Sequence, residues 1–345
     1  MPLPALGVVV VTFNAADVIL DCLESLLASD DVVLDIVVID NASTDDTLAT
    51  IRAWAAGSAG YVPAGGLPFP LSPCQKPVPL DGTSVGALPH CVHLVPTGIN
   101  AGFAAGVNCG LKRLAAHRHL DRFWVLNPDS VVPADTPAAF MNHDPGPFSL
   151  MGGRVTYCER PDMIQIDGGT VNRWTGVTGN INLYGSIRER AAPKPEALDF
   201  ITGASMVVSR AHYETVGPMA EDYFLYYEEV DWALRRGNLP LAICPAARVY
   251  HRGGSAIGSP VPGRPASPFS LYFKHRARLR FVRRHMPLIL PIAWAYTLAK
   301  AAQYALKGWH TEAYAVVAGA RGVEPPRGVR ERLGPEAARL AFVSG

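Results

Sequence analysis

Charge of one sign is missing from this sequence. Its 31 lysines and arginines face 30 aspartates and glutamates, for a formal net charge of +1. Nothing in that balance points to nucleic acid as a partner. Paired cysteines are missing as well. Cys22, Cys74, Cys91, Cys109, Cys158 and Cys244 are scattered with no CxxC among them. This argues against a zinc ribbon or a disulfide framework and fits reduced cytosolic thiols. No apolar run has membrane-spanning length: Pro287–Ala299 falls short of the roughly 20 residues a bilayer requires. Residues 1–13 lack a basic n-region and a small-residue cleavage site, so Val8–Val11 reads as a buried strand and not as a secretory signal. There is no internal repeat.

What is present is apolar material, 49% of the residues against 18% charged, enough to bury a substantial core. Residues 1–56 read as strand, helix, strand, helix. Gly7–Thr12 is a continuous β-branched run, as in a strand covered on both faces. Ala16–Ala28 has helical apolar spacing, Ile36–Ile39 is a second strand, and Asp45–Ala55 a second helix with Ser43 or Thr44 placed to cap it. That alternation predicts a parallel α/β sheet. Gly57–His90, rich in proline and glycine, interrupts it as a long loop or insertion. The pattern resumes with a strand at Val92–Val95, a helix at Ala104–Ala116 and a strand at Arg122–Leu126. Short strands and turns then fill residues 150–250, with a helix near Glu228–Arg236.

Polar clusters close several of these strands, where parallel α/β sheets bind ligands. Thr12-Phe13-Asn14 follows Val8–Val11, and Asp40-Asn41-Ala42-Ser43 follows Ile36–Ile39. Each reads as ligand contacts to a base or ribose, or as a helix cap. Asn100–Asn108 follows a strand, opens a helix and is glycine-rich, which suits phosphate approach; a tight strand–helix turn would look the same. No Gly-Lys-Ser/Thr follows, so it is not a P-loop. Asn127-Pro128-Asp129-Ser130 offers one carboxylate for a hard divalent cation, or a plain turn. Further on, Tyr223–Trp232 sets Glu228, Glu229 and Asp231 among five aromatic rings. Such surroundings raise carboxylate pKa values and suit a general base; a helix start would also favour these acids. His251, after a strand-like Ile243–Tyr250, gains weight as a ligand only together with Asp129.

Taken in order, the segments VVVVTFN, VVIDNASTDDT, GINAGFAAGVNCG, VLNPDS, FITGASMVVSR, YFLYYEEVDWALR and VYHRGGSA resemble the inverting GT-A glycosyltransferases of family 2, especially the rhamnosyltransferase-like branch, over about Gly7–Arg284. The resemblance implies a GT-A fold: a Rossmann-like, mainly parallel sheet with helices on both faces, plus a C-terminal helical extension. It implies that Thr12, Asn14, Asp40, Asn41 and Ser43 hold the base and ribose. Asn100, Gly102, Phe103 and Asn108 would lie along the diphosphate and donor sugar. Asp129 and His251 would ligate Mg²⁺ or Mn²⁺, with Asn127 as the first polar position of a DXD-type motif. Gly203 and Ala204 would border the donor sugar, Glu229 would be the base, and Asp231 and Trp232 would lie near the acceptor. The chain departs from the family in carrying Glu228-Glu229 where the second residue is commonly Asp, so Glu228 and Asp231 stand as alternative bases. It departs again in the length of its 57–90 insertion.

The division expected is a catalytic domain over 1–265, a basic and apolar helical region over 266–322, and a flexible tail over 323–345. Lys274, Arg276, Arg278, Arg280, Arg283 and Arg284 are interleaved with aromatics and precede an apolar helix. The pattern reads as peripheral membrane contact through 269–300, or as packing on the domain with solvated arginines. The expected partners are a nucleotide-diphosphate sugar, with dTDP-rhamnose as the best guess, and a saccharide or lipid-linked acceptor in cell-surface polysaccharide synthesis. A homodimer is compatible with this set. The expected location is the cytoplasm, free or associated with the inner face of the membrane. Two competing readings are a nucleotidyltransferase, disfavoured because Thr12–Asp17 has neither Lys nor Arg, and a non-catalytic assembly subunit.

Overall fold

The computed structural model describes residues 3–85, 90–253 and 265–343. The expected motif at 249–256 runs into 254–256, and the insertion and tail run into 86–89 and 344–345; those positions lie outside the described residues. The N-terminal half alternates as the apolar pattern requires: β1 Ala5–Thr12, α1 Ile19–Leu27, β2 Val33–Asp40, α2 Thr47–Ala56, β3 Asp81–Val85, β4 His90–Pro96, α3 Phe103–Ala115, β5 Arg122–Leu126. There follow β6 Ser130–Val131, α4 Thr136–Asn142, β7 Leu150–Tyr157, β8 Arg160–Ile166, β9 Gly169–Val171, β10 Thr178–Asn180, β11 Ser205–Ser209, α5 Arg210–Val216, α6 Glu228–Leu234 and β12 Ala242–His251. The chain finishes in helices: α7 Pro268–His285, α8 Leu290–Leu306, α9 His310–Arg321, α10 Arg327–Arg330 and α11 Pro335–Val343.

The main sheet has the order β3-β4-β2-β1-β5-β11-β7-β12-β6, with β8 on β7. Strands β4, β2, β1 and β5 are mutually parallel, and β11 enters antiparallel to β5. This is the expected mainly parallel sheet of the GT-A fold. Strand β1 is buried on both faces. Val8 and Val10 join the core under α1 and α2, while Val9 and Val11 join the core under α3. Helix α3 lies directly on β1 because it carries glycine there. A Cβ at Gly106 would fall 2.6 Å from Val11 and one at Gly110 2.5 Å from Val9. Those glycines of the 100–110 run therefore serve helix–strand contact.

Two regions differ from expectation, and a third is more closely held than a bare loop. The insertion after α2 is anchored: Tyr61 Oη and the Ala64 N–H donate to Asp21, and Lys76 pairs with buried Glu24 at 2.6 Å. The segment expected as a flexible tail forms α10 and α11, whose Val329, Leu333, Ala337 and Ala341 are buried in one cluster with Leu271, Tyr272 and Phe273 of α7. The basic helix α7 turns two of its arginines inward. Arg276 and Arg278 are buried, and the Arg278 guanidinium donates to the carbonyls of Thr175 and Ala293. These arginines bond within the domain, so they neither face a membrane nor stand solvated.

Candidate active site

The carboxyl ends of β1, β2 and β5 and the start of β11 meet at one edge of the sheet. Thr12 pairs with Asp40 across β1 and β2, and Ser205 with Leu126 across β11 and β5. Thr12 and Asp40 are fully buried, and Thr12 Oγ1 and Asp40 Oδ1 have no hydrogen-bond partner. Orphaned buried oxygens are costly unless a ligand satisfies them. Their neighbours brace the loops. The Asn14 N–H donates to Ser43 Oγ (3.0 Å), and the Thr44 N–H donates to Asn14 Oδ1 (2.8 Å). Ser43 thus ties the first two strand–helix turns together and does not cap α2, whose N-cap is Asp46. The Asn41 amide donates to Asn100 Oδ1 and to the Gly102 carbonyl.

The phosphate expectation for Asn100–Asn108 is corrected in part. The Gly102 N–H is taken by Asn100 Oδ1 and the Phe103 N–H by the Phe224 carbonyl, both at 3.0 Å, so neither points at a ligand. The Asn108 amide is spent on Met219 and Glu221 and clasps α3 to the segment before α6. The Phe103 ring, in contrast, lies beside Gly203, where a Cβ would stand 3.2 Å from it. Ala204 accepts the Asn127 N–H at 3.0 Å.

Asp129 and His251 come together. His251 Nε2 lies 3.0 Å from Asp129 Oδ1 and 3.2 Å from the Asn127 amide nitrogen, and its Nδ1 lies 2.6 Å from Gln165 Oε1. An amide oxygen only accepts, so Nδ1 carries a proton and Nε2 is free to be the ligand nitrogen. Burial pushes the Asp129 carboxyl up, but His251 and Arg252 outweigh it and hold the group below the ordinary aspartate value. Carboxylate and imidazole directed at one point suit a divalent cation, so the residues fit Mg²⁺ or Mn²⁺. Sequence reasoning missed Gln165. It sits in the alternating strand β8, and only its contact with β12 gives it a role.

The acidic run divides three ways. Glu228 is 3% exposed and its Oε2 has no partner; burial and the neighbouring Glu229 charge push its carboxyl well up. Glu229 is half-buried, and burial raises it to about 7 against the opposing pull of its backbone amide and of Lys274 on α7. Asp231 is buried and held by Arg235, Arg284 and His285 at 2.7–3.2 Å. Burial would raise it, yet those partners bring it down to about 2. Trp232 is fully buried in the core and donates its indole N–H to Gly217. Neither Asp231 nor Trp232 offers an acceptor a free group, which corrects both acceptor assignments and removes Asp231 as a base.

The loop leading into Glu229 is strained. Phe224, Tyr226 and Tyr227 have φ of 65°, 69° and 67°, which costs on the order of 1–3 kcal/mol each. Tyr227 Oη donates to the Gly176 carbonyl, Tyr226 Oη bonds Ser270, and the Phe224 ring stacks on Phe273. Through Phe224 this loop grips Phe103. Contacts thus run without a break from the Glu229 loop through Phe103 and Gly203–Ala204 to Asn127 and the Asp129–His251 pair.

Comparison with known proteins agrees with the geometry. Residues 7–62 match the profile of Glycosyl transferase family 2. Over 168 residues the chain is 26% identical to the low-salt glycan biosynthesis hexosyltransferase Agl10 of Haloferax volcanii, covering 46% of this chain and 52% of that protein. The chain therefore spans about half the length of this relative. Among solved structures, it overlays on a mannosyltransferase of Pyrobaculum calidifontis in complex with GDP-Man and Mn²⁺. The TM-score is 0.51 at 18% identity, over 93% of this chain and 87% of that one, a likeness of fold.

Proposed function

We propose that this chain, whose residues 7–62 match the family 2 glycosyltransferases, is an inverting, metal-dependent hexosyltransferase. It would move a sugar from a nucleotide-diphosphate donor to an acceptor hydroxyl. The observation that carries the reading is the Gln165–His251–Asp129 arrangement, a carboxylate and an oriented imidazole beside the strand ends that carry Thr12 and Asp40. Thr12 and Asp40 take the nucleoside, and Phe103 with Gly203 and Ala204 borders the sugar. Asp129 and His251 Nε2 would hold Mg²⁺ or Mn²⁺, which supplies neutralisation of charge growing on the leaving diphosphate. Glu229, poised near neutrality, accepts the proton of the acceptor hydroxyl as that oxygen attacks the anomeric carbon from the opposite face. Glu228 is buried deeper, with its carboxyl pushed well up by burial and the Glu229 charge, which favours Glu229 as the base.

The similar proteins supply sugars to try, a hexose and GDP-mannose; dTDP-rhamnose joins them through the motif resemblance. The acceptor reading draws on α8. Its turns bury Ala293, Thr297 and Ala301, while Leu288 before it and Ile292, Leu298 and Leu306 along it are 94%, 44%, 55% and 90% exposed. Exposed apolar surface of this kind, next to exposed Arg283 and Lys307, suits an anionic membrane face that presents a lipid-linked acceptor. No helix among the described residues is long and apolar enough to cross a membrane.

The test is transfer assayed with these donors, with the product anomer read by NMR. The reading requires transfer with inversion that Glu229→Gln stops while donor binding persists. A retained anomer, or undiminished transfer by that variant, would reject the mechanism.

A further inference from the structure

A second cluster of metal-ligating side chains lies on the same sheet, away from the strand ends. Asp35 of β2 pairs in register with Cys91 of β4, and His93 follows two residues on, so all three point to the α3 side. One ligand atom from each lies within 4.8 Å of the others. His93 Nε2 is 3.4 Å from Asp35 Oδ1, and His117, just past the end of α3, brings Nδ1 to 2.8 Å from Asp35 Oδ2. Asp35 is 6% exposed, and its Oδ1 is buried without a hydrogen-bond partner. Asp35 stands five positions before Asp40 on one strand, roughly 16 Å at strand rise, so this cluster is separate from the nucleotide end.

We propose that Asp35, Cys91, His93 and His117 form a second metal site, selective for zinc over magnesium or manganese, that staples β2, β4 and the end of α3. The donor set decides the ion. Thiolate and imidazole ligands with one carboxylate favour a borderline-soft cation, whereas Mg²⁺ and Mn²⁺ prefer oxygen. Ligand atoms around tetrahedral zinc stand roughly 3.4–3.7 Å apart given its bond lengths. Asp35, Cys91 and His93 close to that by a small inward movement, and half-exposed His117, which now meets the other Asp35 oxygen, swings in as the fourth ligand and gives the ion a way in. His93 is already fixed in place. Its ring lies under β3 at Gly82, where a Cβ would fall 1.8 Å from Cε1.

Arg113 restrains the site. Its Nη2 stands 2.9 Å from His93 Nδ1, which makes that nitrogen the acceptor and leaves the proton on Nε2, the atom facing Asp35. Binding displaces this proton and pushes the exposed guanidinium aside. Removing Arg113 removes both obstacles, so its loss tightens the site. On binding, Cys91 releases its thiol proton to solvent, the His93 proton moves from Nε2 to the Nδ1 that Arg113 vacates, and the ion gains four protein ligands.

The experiment is Co²⁺ titration of the full chain after chelator treatment, read by absorbance. A thiolate ligand gives a near-ultraviolet charge-transfer band, and a tetrahedral site gives intense visible bands. The expected result is both bands at one ion per chain, unchanged in Asp129→Ala. Cys91→Ser loses the near-ultraviolet band, His117→Gln binds about tenfold more weakly or worse, and Arg113→Ala binds more tightly. Zn²⁺ displaces Co²⁺ and raises the melting temperature of Asp129→Ala but not of Cys91→Ser. His117 is partly exposed, so its variant reads the site even if Cys91→Ser fails to fold. Absence of the thiolate band in the unmodified chain, its persistence in Cys91→Ser, or its loss in Asp129→Ala would overturn the proposal.

Discussion

His251 Nε2 lies 3.0 Å from Asp129 Oδ1, with the opposite ring nitrogen held by Gln165 at 2.6 Å. The pair joins the end of β12 to the turn after β5, and Gln165 on β8 fixes which nitrogen is exposed to a ligand. Gln165→Leu keeps the volume but frees Nδ1. Its expected effect is a 10–100-fold weaker Mn²⁺ dependence of transfer, with the melting temperature of the metal-free protein nearly unchanged. Metal titration of activity in the variant measures it.

In the proposed mechanism Glu229 carries the pH dependence. Its carboxyl is raised to about 7 by burial, with Lys274 pulling it down. Only the carboxylate accepts a proton, so turnover should rise with pH through about 7 and level off above. Lys274→Met removes a stabilising positive charge and should move that limb to higher pH. A limb that stays in place would show that Lys274 does not tune the base.

Glu228 makes an opposite kind of prediction. Its folded-state carboxyl is held protonated well above the value of 4.5 from which it starts, so the folded state binds more protons than the unfolded one. Stability therefore falls as pH rises above about 4.5. Glu228→Gln, neutral and of the same shape, should keep activity and raise the melting temperature by more at pH 8 than at pH 5.

Asp231 works in the other direction. Its pKa is brought down to about 2 by Arg235, Arg284 and His285, so its stabilisation is present above the unfolded value of 3.8 and lost as pH falls towards 2. Asp231→Asn should cost about 1–2 kcal/mol at pH 7, once the shift is discounted for the partly exposed arginines. Urea unfolding gives the cost. Transfer by the folded fraction should be unimpaired, which an acceptor-binding role would not allow.

Much of the N-terminal half was legible because a strand covered on both faces must be apolar throughout, as Gly7–Thr12 is. Its polar residues then collect at the strand ends, where Thr12, Asp40 and Asp129 are found. The identity of partners was not legible. Asn108 sits in a glycine-rich turn that suits a phosphate, yet the close seating of α3 on Val9 and Val11 carries its amide to Met219. The alternating pattern of β8 gives no reason to single out Gln165. Arg276 and Arg278 belong to a basic run that reads as surface, and their burial is decided by α8, α9 and the 172–176 turn closing around α7. In each case the deciding contact is between residues far apart in the chain.

The central claim is that Asp129 and His251 hold a cation against a nucleotide diphosphate. Isothermal titration of a nucleotide sugar into the protein, with and without Mn²⁺, for the unmodified chain and Asp129→Ala, tests it most directly. The account predicts Mn²⁺-dependent binding that weakens by roughly 10²–10³-fold in Asp129→Ala. Equal affinity in the two proteins, or binding indifferent to Mn²⁺, would contradict it.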